Sequence, residues 1–401
     1  MSAQNCLVLL LEKWRKCIDR KGYAGILLTD LSKAFDCIHH DLLIAKLNAF
    51  GFEYNALCLI HNYLSERFQR VRINSNYSTW NDIIFGVPQG SILGPLIFNI
   101  DLCDFLFFCE DSNVVNFADD NSPFACESNA ASVIVRLEND SKVLLEWCKN
   151  NGLKANPDKF HLILSNPGEK NYIEIENFLV KENKSEKLLG ITIDNKLSFD
   201  DHVSSLCQKA SQKIHALSRV ASFMNLNQRR IIMKAFILSH FGYCPLAWMF
   251  HSRKLNNRIN KIHEKSLRIV YKDYLFPFEE LLKRDSSFKI HERNIQFLAI
   301  ELYKVVNNLS PEIMKEVFPI QTSSSTCSNN LFIRLVRTSR YGTETLSHLG
   351  PKIWSIIPND IKKADTLKSF ITQIKQWKPV NCPCKLCLTY ISGIGYIDRP
   401  F

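Results

Sequence analysis

Three acidic residues of this chain stand where a carboxylate is expensive. Asp30 follows the apolar run Ile26-Leu27-Leu28, and Asp119-Asp120 follow Val114-Val115-Asn116-Phe117-Ala118. An ionised carboxylate at the end of such a run needs an offsetting charge. If the two runs are neighbouring strands, the three acids converge on one edge of a sheet, and hard oxygen donors suit Mg²⁺ or Mn²⁺ better than zinc. Two such ions about 4 Å apart would serve an in-line displacement at phosphorus. The alternative is local: Asp119-Asp120-Asn121 as a hairpin turn and Asp30 as a helix cap.

Longer motifs surround these acids. Asp30-Leu-Ser-Lys-Ala-Phe-Asp36 is followed by Gly86-Val-Pro-Gln-Gly-Ser-Ile-Leu-Gly-Pro95, then Phe117-Ala-Asp-Asp120, Asn156-Pro-Asp-Lys159 and Leu188-Leu-Gly-Ile191. In order and spacing, over about 160 residues, they resemble the successive palm motifs of reverse transcriptases. The wording is closest to non-long-terminal-repeat retrotransposons of the jockey type. The resemblance implies an RNA-directed DNA polymerase that adds dNTPs to a DNA primer on an RNA template with two Mg²⁺ or Mn²⁺ ions. It makes Asp30 and Asp119 the principal metal ligands and Asp120 a weaker one. Phe35 falls where the family sets an aromatic against the sugar, so that a ribose 2′ hydroxyl would clash. Gln89, Gly90 and Ser91 would form the floor beneath template base and incoming nucleotide, Gly90 by letting the backbone approach closely. Lys159 would stand near the departing pyrophosphate, and Leu189 and Gly190 where the family grips the primer end.

The elements that must position these residues are readable from periodicity. Leu7, Leu10, Leu11, Trp14 and Ile18 line one face of a helix, and Ala24 to Thr29 reads as a short buried strand running into Asp30. A helix is expected from about His40 to Phe50, a strand pair over Arg67–Ile84 around Asn74-Ser75-Asn76, and an apolar helix from the Gly86–Ser91 turn through Leu102. Val114–Ala125 has the shape of a hairpin. A long helix carrying Ile134, Leu137, Leu144, Leu145 and Cys148 follows, closed by Asn151-Gly152, with strands at Phe160–Leu164 and Leu188–Ile193. The order matches an α+β, ferredoxin-like split βαβ sheet. After Ser205 the pattern turns helical.

Charge is concentrated in that later part. The 401 residues carry a net charge of +10, yet Leu206–Leu275 alone holds thirteen Lys and Arg against Glu264 and Asp273, which leaves the remainder near neutral. Within it Lys254, Arg258, Lys261, Lys265, Arg268 and Lys272 recur every three or four residues, one stripe on a helix beside an apolar stripe of Leu255, Ile259, Ile262 and Ile269. Such a face follows a phosphate backbone. The same stripe would also suit a merely solvated face.

The expected division is a palm over 1–205 with its fingers largely missing, a basic thumb-like helical region over 206–320, and a linker with a Cys-containing segment over 321–401. Against the family, the 29 residues before Asp30 read as an N-terminally truncated start. Cys382-Pro-Cys384-Lys-Leu-Cys387 supplies three thiols where a closed zinc site needs four ligands, with Cys327 or His348 as candidates for the fourth. Hydrophobic residues make up 46% and no run spans a bilayer, which argues against disorder and against a membrane protein. Fourteen cysteines without a signal peptide indicate reduced thiols and a nuclear or cytoplasmic location. The competing function is an inactive or co-opted nucleic-acid-binding remnant.

Overall fold

The computed structural model describes residues 2–118, 120–166, 168–321, 330–391 and 395–397. The chain divides into two compact units, Gly22–Lys184 and the remaining residues on both sides of it. This division follows spatial packing, whereas the boundaries at 205 and 320 follow motifs and composition. No helix among the described residues is long and apolar enough to cross a membrane.

The Gly22–Lys184 unit is built on a four-stranded sheet: β1 (Tyr23–Leu28), β2 (Asn113–Phe117), β3 (Asp120–Glu127) and β4 (His161–Leu164). Their spatial order is β4-β1-β3-β2 with every neighbour antiparallel. That is the order of a split βαβ fold, as the element sequence requires. β1 is buried from Ala24 to Leu28 because it is central and covered, which is why it reads as a continuous apolar run. The helix Ala130–Asn150, capped by the Asn129 side chain, lays Val133, Ile134, Leu137, Leu144, Trp147 and Cys148 into the core. It approaches the sheet closely at Gly25, where a Cβ would lie 2.7 Å from Val133 Cγ1 and 2.8 Å from Leu164 Cδ2. The helices His40–Ala49 and Leu93–Leu102 add Leu43, Leu47, Ile97, Phe98 and Leu102 to the same core. The strand pair expected over Arg67–Ile84 is present as an exposed arm that turns at Asn74, with ladders Phe68–Gln69 to Asn81–Asp82 and Arg72–Ile73 to Asn76–Tyr77.

The second unit joins the N-terminal helix Ala3–Asp19 to a hairpin and a set of helices: Asp200–Val220, Arg253–Tyr271, Ile290–Val306, Leu346–Ile356 and Leu367–Ile374 among them. Val8 and Leu9 of the first helix share a core with Ile295, Leu298, Leu302, Phe318, Leu349 and Phe370. Two buried carboxylates tie that helix to the late chain. Glu12 accepts from the backbone N–H groups of Leu346 and Ser347 (2.9 and 3.2 Å), capping the helix that begins there. Asp19 accepts from the N–H of Arg337 and Thr338, the Thr338 hydroxyl and Arg334 Nη2, all at 2.8–3.1 Å. Arg15 is buried over the Phe250 ring at 4.7 Å. The strand expected over Leu188–Ile193 is instead a hairpin, Ser185–Leu188 against Ile191–Asp194. Leu189 and Gly190 form its two-residue turn, both with positive φ, the geometry that matches strand twist.

Candidate active site

β1 delivers Asp30 to one end of the sheet. The Thr29 hydroxyl donates to the Asn121 carbonyl, a buried bond that pins the end of β1 to the start of β3. The antiparallel register, Ile26 opposite Phe124, then brings Asp120, the first residue of β3, to the same end as Asp30. From the other side the Asn156 N–H donates to the Asp30 carbonyl (3.0 Å), and Leu31 pairs with Ala155. The hairpin closes on Phe117 opposite Asp120 with Ala118 at φ 55°, so the tip falls ahead of Asp120 and not on Asp120-Asn121. Asp119 lies outside the described residues. Lys159, on the short turn Pro157–Lys159, donates from Nζ to Asp30 Oδ2 at 3.1 Å, both side chains being well exposed. His161, paired with Leu28 in register, has its Nδ1 within 3.1 Å of Asn183 Nδ2. A strand-end carboxylate pair with solvent access is an oxygen-donor set, and it fits a hard divalent ion.

The first two motifs meet beside it. The Val87 N–H donates to the Phe35 carbonyl (2.9 Å), the Gly86 N–H to the Ile38 carbonyl (2.8 Å), and Gln89 Nε2 to Asp36 Oδ1 (2.8 Å). Gly86 is the residue of close approach: a Cβ there would sit 2.7 Å from the Asp36 Cα. At Gly90 no protein atom lies within 4 Å of such a Cβ, and its φ of 80° favours glycine. Ser91 accepts from the Gly94 N–H (3.0 Å) and donates to the Pro88 carbonyl (2.7 Å), which fastens the turn to the helix Leu93–Leu102. Phe35 is half-buried and stacks on Phe98 with centroids 4.0 Å apart. Thus Asp30, Asp120, Phe35, Gln89, Gly90, Ser91 and Lys159 all belong to one unit.

Residues 5–193 match the family described as reverse transcriptase (RNA-dependent DNA polymerase). That segment is similar to a reverse transcriptase domain. The chain is 28% identical over 296 residues to the probable RNA-directed DNA polymerase from transposon BS of Drosophila melanogaster, covering 70% of this chain and 32% of that protein. It is 23% identical over 265 residues to the RNA-directed DNA polymerase from mobile element jockey of the same species, covering 63% and 29%. The chain spans about a third of the length of these curated relatives. An apo telomerase structure from Candida Tropicalis aligns at 13% identity over 78% of this chain and 55% of that one, with a TM-score of 0.38, too low to bear on the fold.

The remaining candidates belong to the other unit. Leu189 and Gly190 sit at the hairpin turn near the end of the reverse transcriptase match, where Tyr243 Oη donates to the Leu189 carbonyl at 2.8 Å. The basic stripe lies beyond the match on the helix Arg253–Tyr271, whose Leu255, Ile259, Ile262, Leu267 and Val270 are buried. Ile269, expected among them, is half-buried, and His263 and Ser266 fill the buried face instead. Lys254, Arg258, Lys261 and Lys265 are exposed, with Arg258 Nη1 donating to Ser204 Oγ at 3.2 Å. Two cations depart from the stripe. Arg268 is half-buried and pairs with Glu264 at 2.5 Å, and Lys272 is the left-handed C-cap.

Cys382, Cys384 and Cys387 converge. Cys327 lies outside the described residues, and His348 has its Nδ1 on the Arg334 carbonyl at 3.0 Å. His291 stands with them instead, on the first turn of the helix Ile290–Val306. No sequence signal marks it, because it precedes Cys384 by 93 residues. The Cys384 thiol is held well below its ordinary range by hydrogen bonds from Cys382 and Cys387 and by the His291 charge. Burial pulls His291 down, yet Cys384 and Cys387 outweigh it and push the ring up to about 10.

Proposed function

We propose that the chain supplies RNA-directed DNA polymerase activity, with Gly22–Lys184 acting as the palm and the basic helical region as a thumb. The observation that carries this reading is the meeting of Asp30 and Asp120 at one sheet end, fixed by the Thr29–Asn121 bond and the β1–β3 register. Asp30, Asp119 and Asp120 would hold two Mg²⁺ or Mn²⁺ ions, whose chemistry is to acidify a primer 3′ hydroxyl and neutralise the leaving pyrophosphate.

The chain's own residues do the rest. Phe35, backed by Phe98, presents a ring edge that favours deoxyribose over ribose. Gln89, tethered to Asp36, and Gly90 and Ser91 shape the floor under the base pair. Lys159 offers an ammonium to the pyrophosphate once it exchanges away from Asp30. Leu189 and Gly190 steady the primer end, and the exposed cations from Lys254 to Lys265 follow the phosphates of an RNA template paired with a DNA primer.

The test is extension of an oligo-dT primer on poly-A with Mg²⁺ or Mn²⁺, comparing the full chain with Asp30→Asn and Asp119→Ala. Extension that either substitution abolishes supports the polymerase. Absence of extension by a chain that still binds the primer-template overturns it in favour of a binding remnant.

A further inference from the structure

The four donor atoms of His291, Cys382, Cys384 and Cys387 lie within 4.8 Å of one another. His291 Nε2 is 3.1 Å from Cys384 Sγ and 3.4 Å from Cys387 Sγ. With Zn–S near 2.3 Å and Zn–N near 2.1 Å, the edges of a tetrahedral site run to roughly 3.5–3.8 Å, so these separations need only a small expansion to close around an ion. His291, Cys382 and Cys384 are buried. The backbone already makes the turn that presents two of the thiols, since the N–H groups of Cys387 and Leu388 both donate to the Cys384 carbonyl at 3.0 Å.

We infer that these residues form a closed Cys₃His zinc site that fastens the late chain to the helix Ile290–Val306. Three thiols and one neutral imidazole would bind the ion, with the thiol protons passing to solvent. All four positions are filled by protein, so the site has no open position for catalysis. Its surroundings are those of a core. Cys382 and Cys384 pack with Ile295, Phe370 and Ile374, and Gln296 Nε2 donates to the Trp377 carbonyl at 2.8 Å.

The same geometry separates this site from a nucleic-acid-reading knuckle, whose ligands come from one short segment. Here the fourth ligand is drawn from a distant helix. Of the two residues between Cys384 and Cys387, Lys385 is paired with Glu344 at 3.0 Å and Leu386 packs against the core, so the loop offers phosphate little. The site goes beyond the polymerase reading and stands on different residues.

The experiment is metal analysis of the purified full chain, with Co²⁺ exchanged for the native ion. Expected are about one zinc per chain and a Co²⁺ spectrum with thiolate charge-transfer and strong tetrahedral bands. Cys387→Ser and His291→Ala should each lose most of the bound metal, whereas His348→Ala should keep it. Because a ligand variant can misfold, the wild-type chain is also treated with a strong chelator. Trypsin should then cut within Lys375–Lys385 while Gly22–Lys184 stays intact and RNA binding persists. Zinc far below one per chain, an unchanged Co²⁺ spectrum in His291→Ala, or a tail still resistant after the metal is removed would each overturn the inference.

Discussion

At the scale of single residues, the pairing of Lys159 with Asp30 puts a cation and the proposed metal in competition for one carboxylate. The pair is exposed, and such pairs contribute at most about 1 kcal/mol, or roughly a fivefold change in an equilibrium. Lys159→Met should therefore lower the Mg²⁺ concentration giving half-maximal extension by up to about fivefold while also lowering the maximal rate. A metal titration that does not move would remove the competition. What the sequence reveals here is the cost of a carboxylate after an apolar run, which makes Asp30, Asp119 and Asp120 candidates, and the surrounding motifs then favour them over a turn and a cap. What it does not reveal is that Gly86 packs closely against the Phe35–Asp36 backbone, a contact made across about fifty residues of chain.

Among the elements, the helix Arg253–Tyr271 shows how far a spacing argument reaches. Periodicity places six cations on one stripe, and four of them are exposed; it cannot see that Glu264 claims Arg268 or that the helix stops before Lys272. Charge reversal at Lys261 and Lys265 should weaken primer-template binding equally for all sequences. It should also flatten the dependence of log Kd on log salt by about two, one for each phosphate no longer neutralised. Reversal of Arg268, already neutralised by Glu264, should do distinctly less. Equal slopes for the wild-type and doubly reversed chains would place the duplex elsewhere. The hairpin at Leu189-Gly190 reads as one strand for a comparable reason, since apolar residues on both sides of a two-residue turn mimic a continuous run.

For the molecule as a whole, stability should depend in part on two of the three histidines of the helical unit that burial pushes down to about 4, the third being His251. His202 and His263 are buried, and burial pushes each ring down to about 4, with Lys209 and Arg293 respectively adding to the effect. Both stay neutral in the folded chain where the unfolded chain is already protonated. Their stabilisation is complete above about pH 6.5 and is lost as pH falls towards 4, with a slope of up to about 2.7 kcal/mol per pH unit for the two together. Denaturant midpoints measured across that range should fall on acidification, and less so in His202→Gln/His263→Gln; parallel profiles would show that other groups govern the loss. Sequence cannot announce these histidines, because nothing local distinguishes a buried imidazole from an exposed one on an amphipathic helix.

The carboxylates of Glu12 and Asp19 have a consequence in time. Glu12 finds its partner 334 residues later in the chain, and at about 5–20 residues per second the ribosome takes roughly 20–70 s to produce it. Throughout that interval Gly22–Lys184 can close its own sheet, while the helix Ala3–Asp19 waits with Glu12 and Asp19 lacking their backbone donors and its leucines exposed. The helix Ala3–Asp19 is thus among the last elements of the second unit to reach its place.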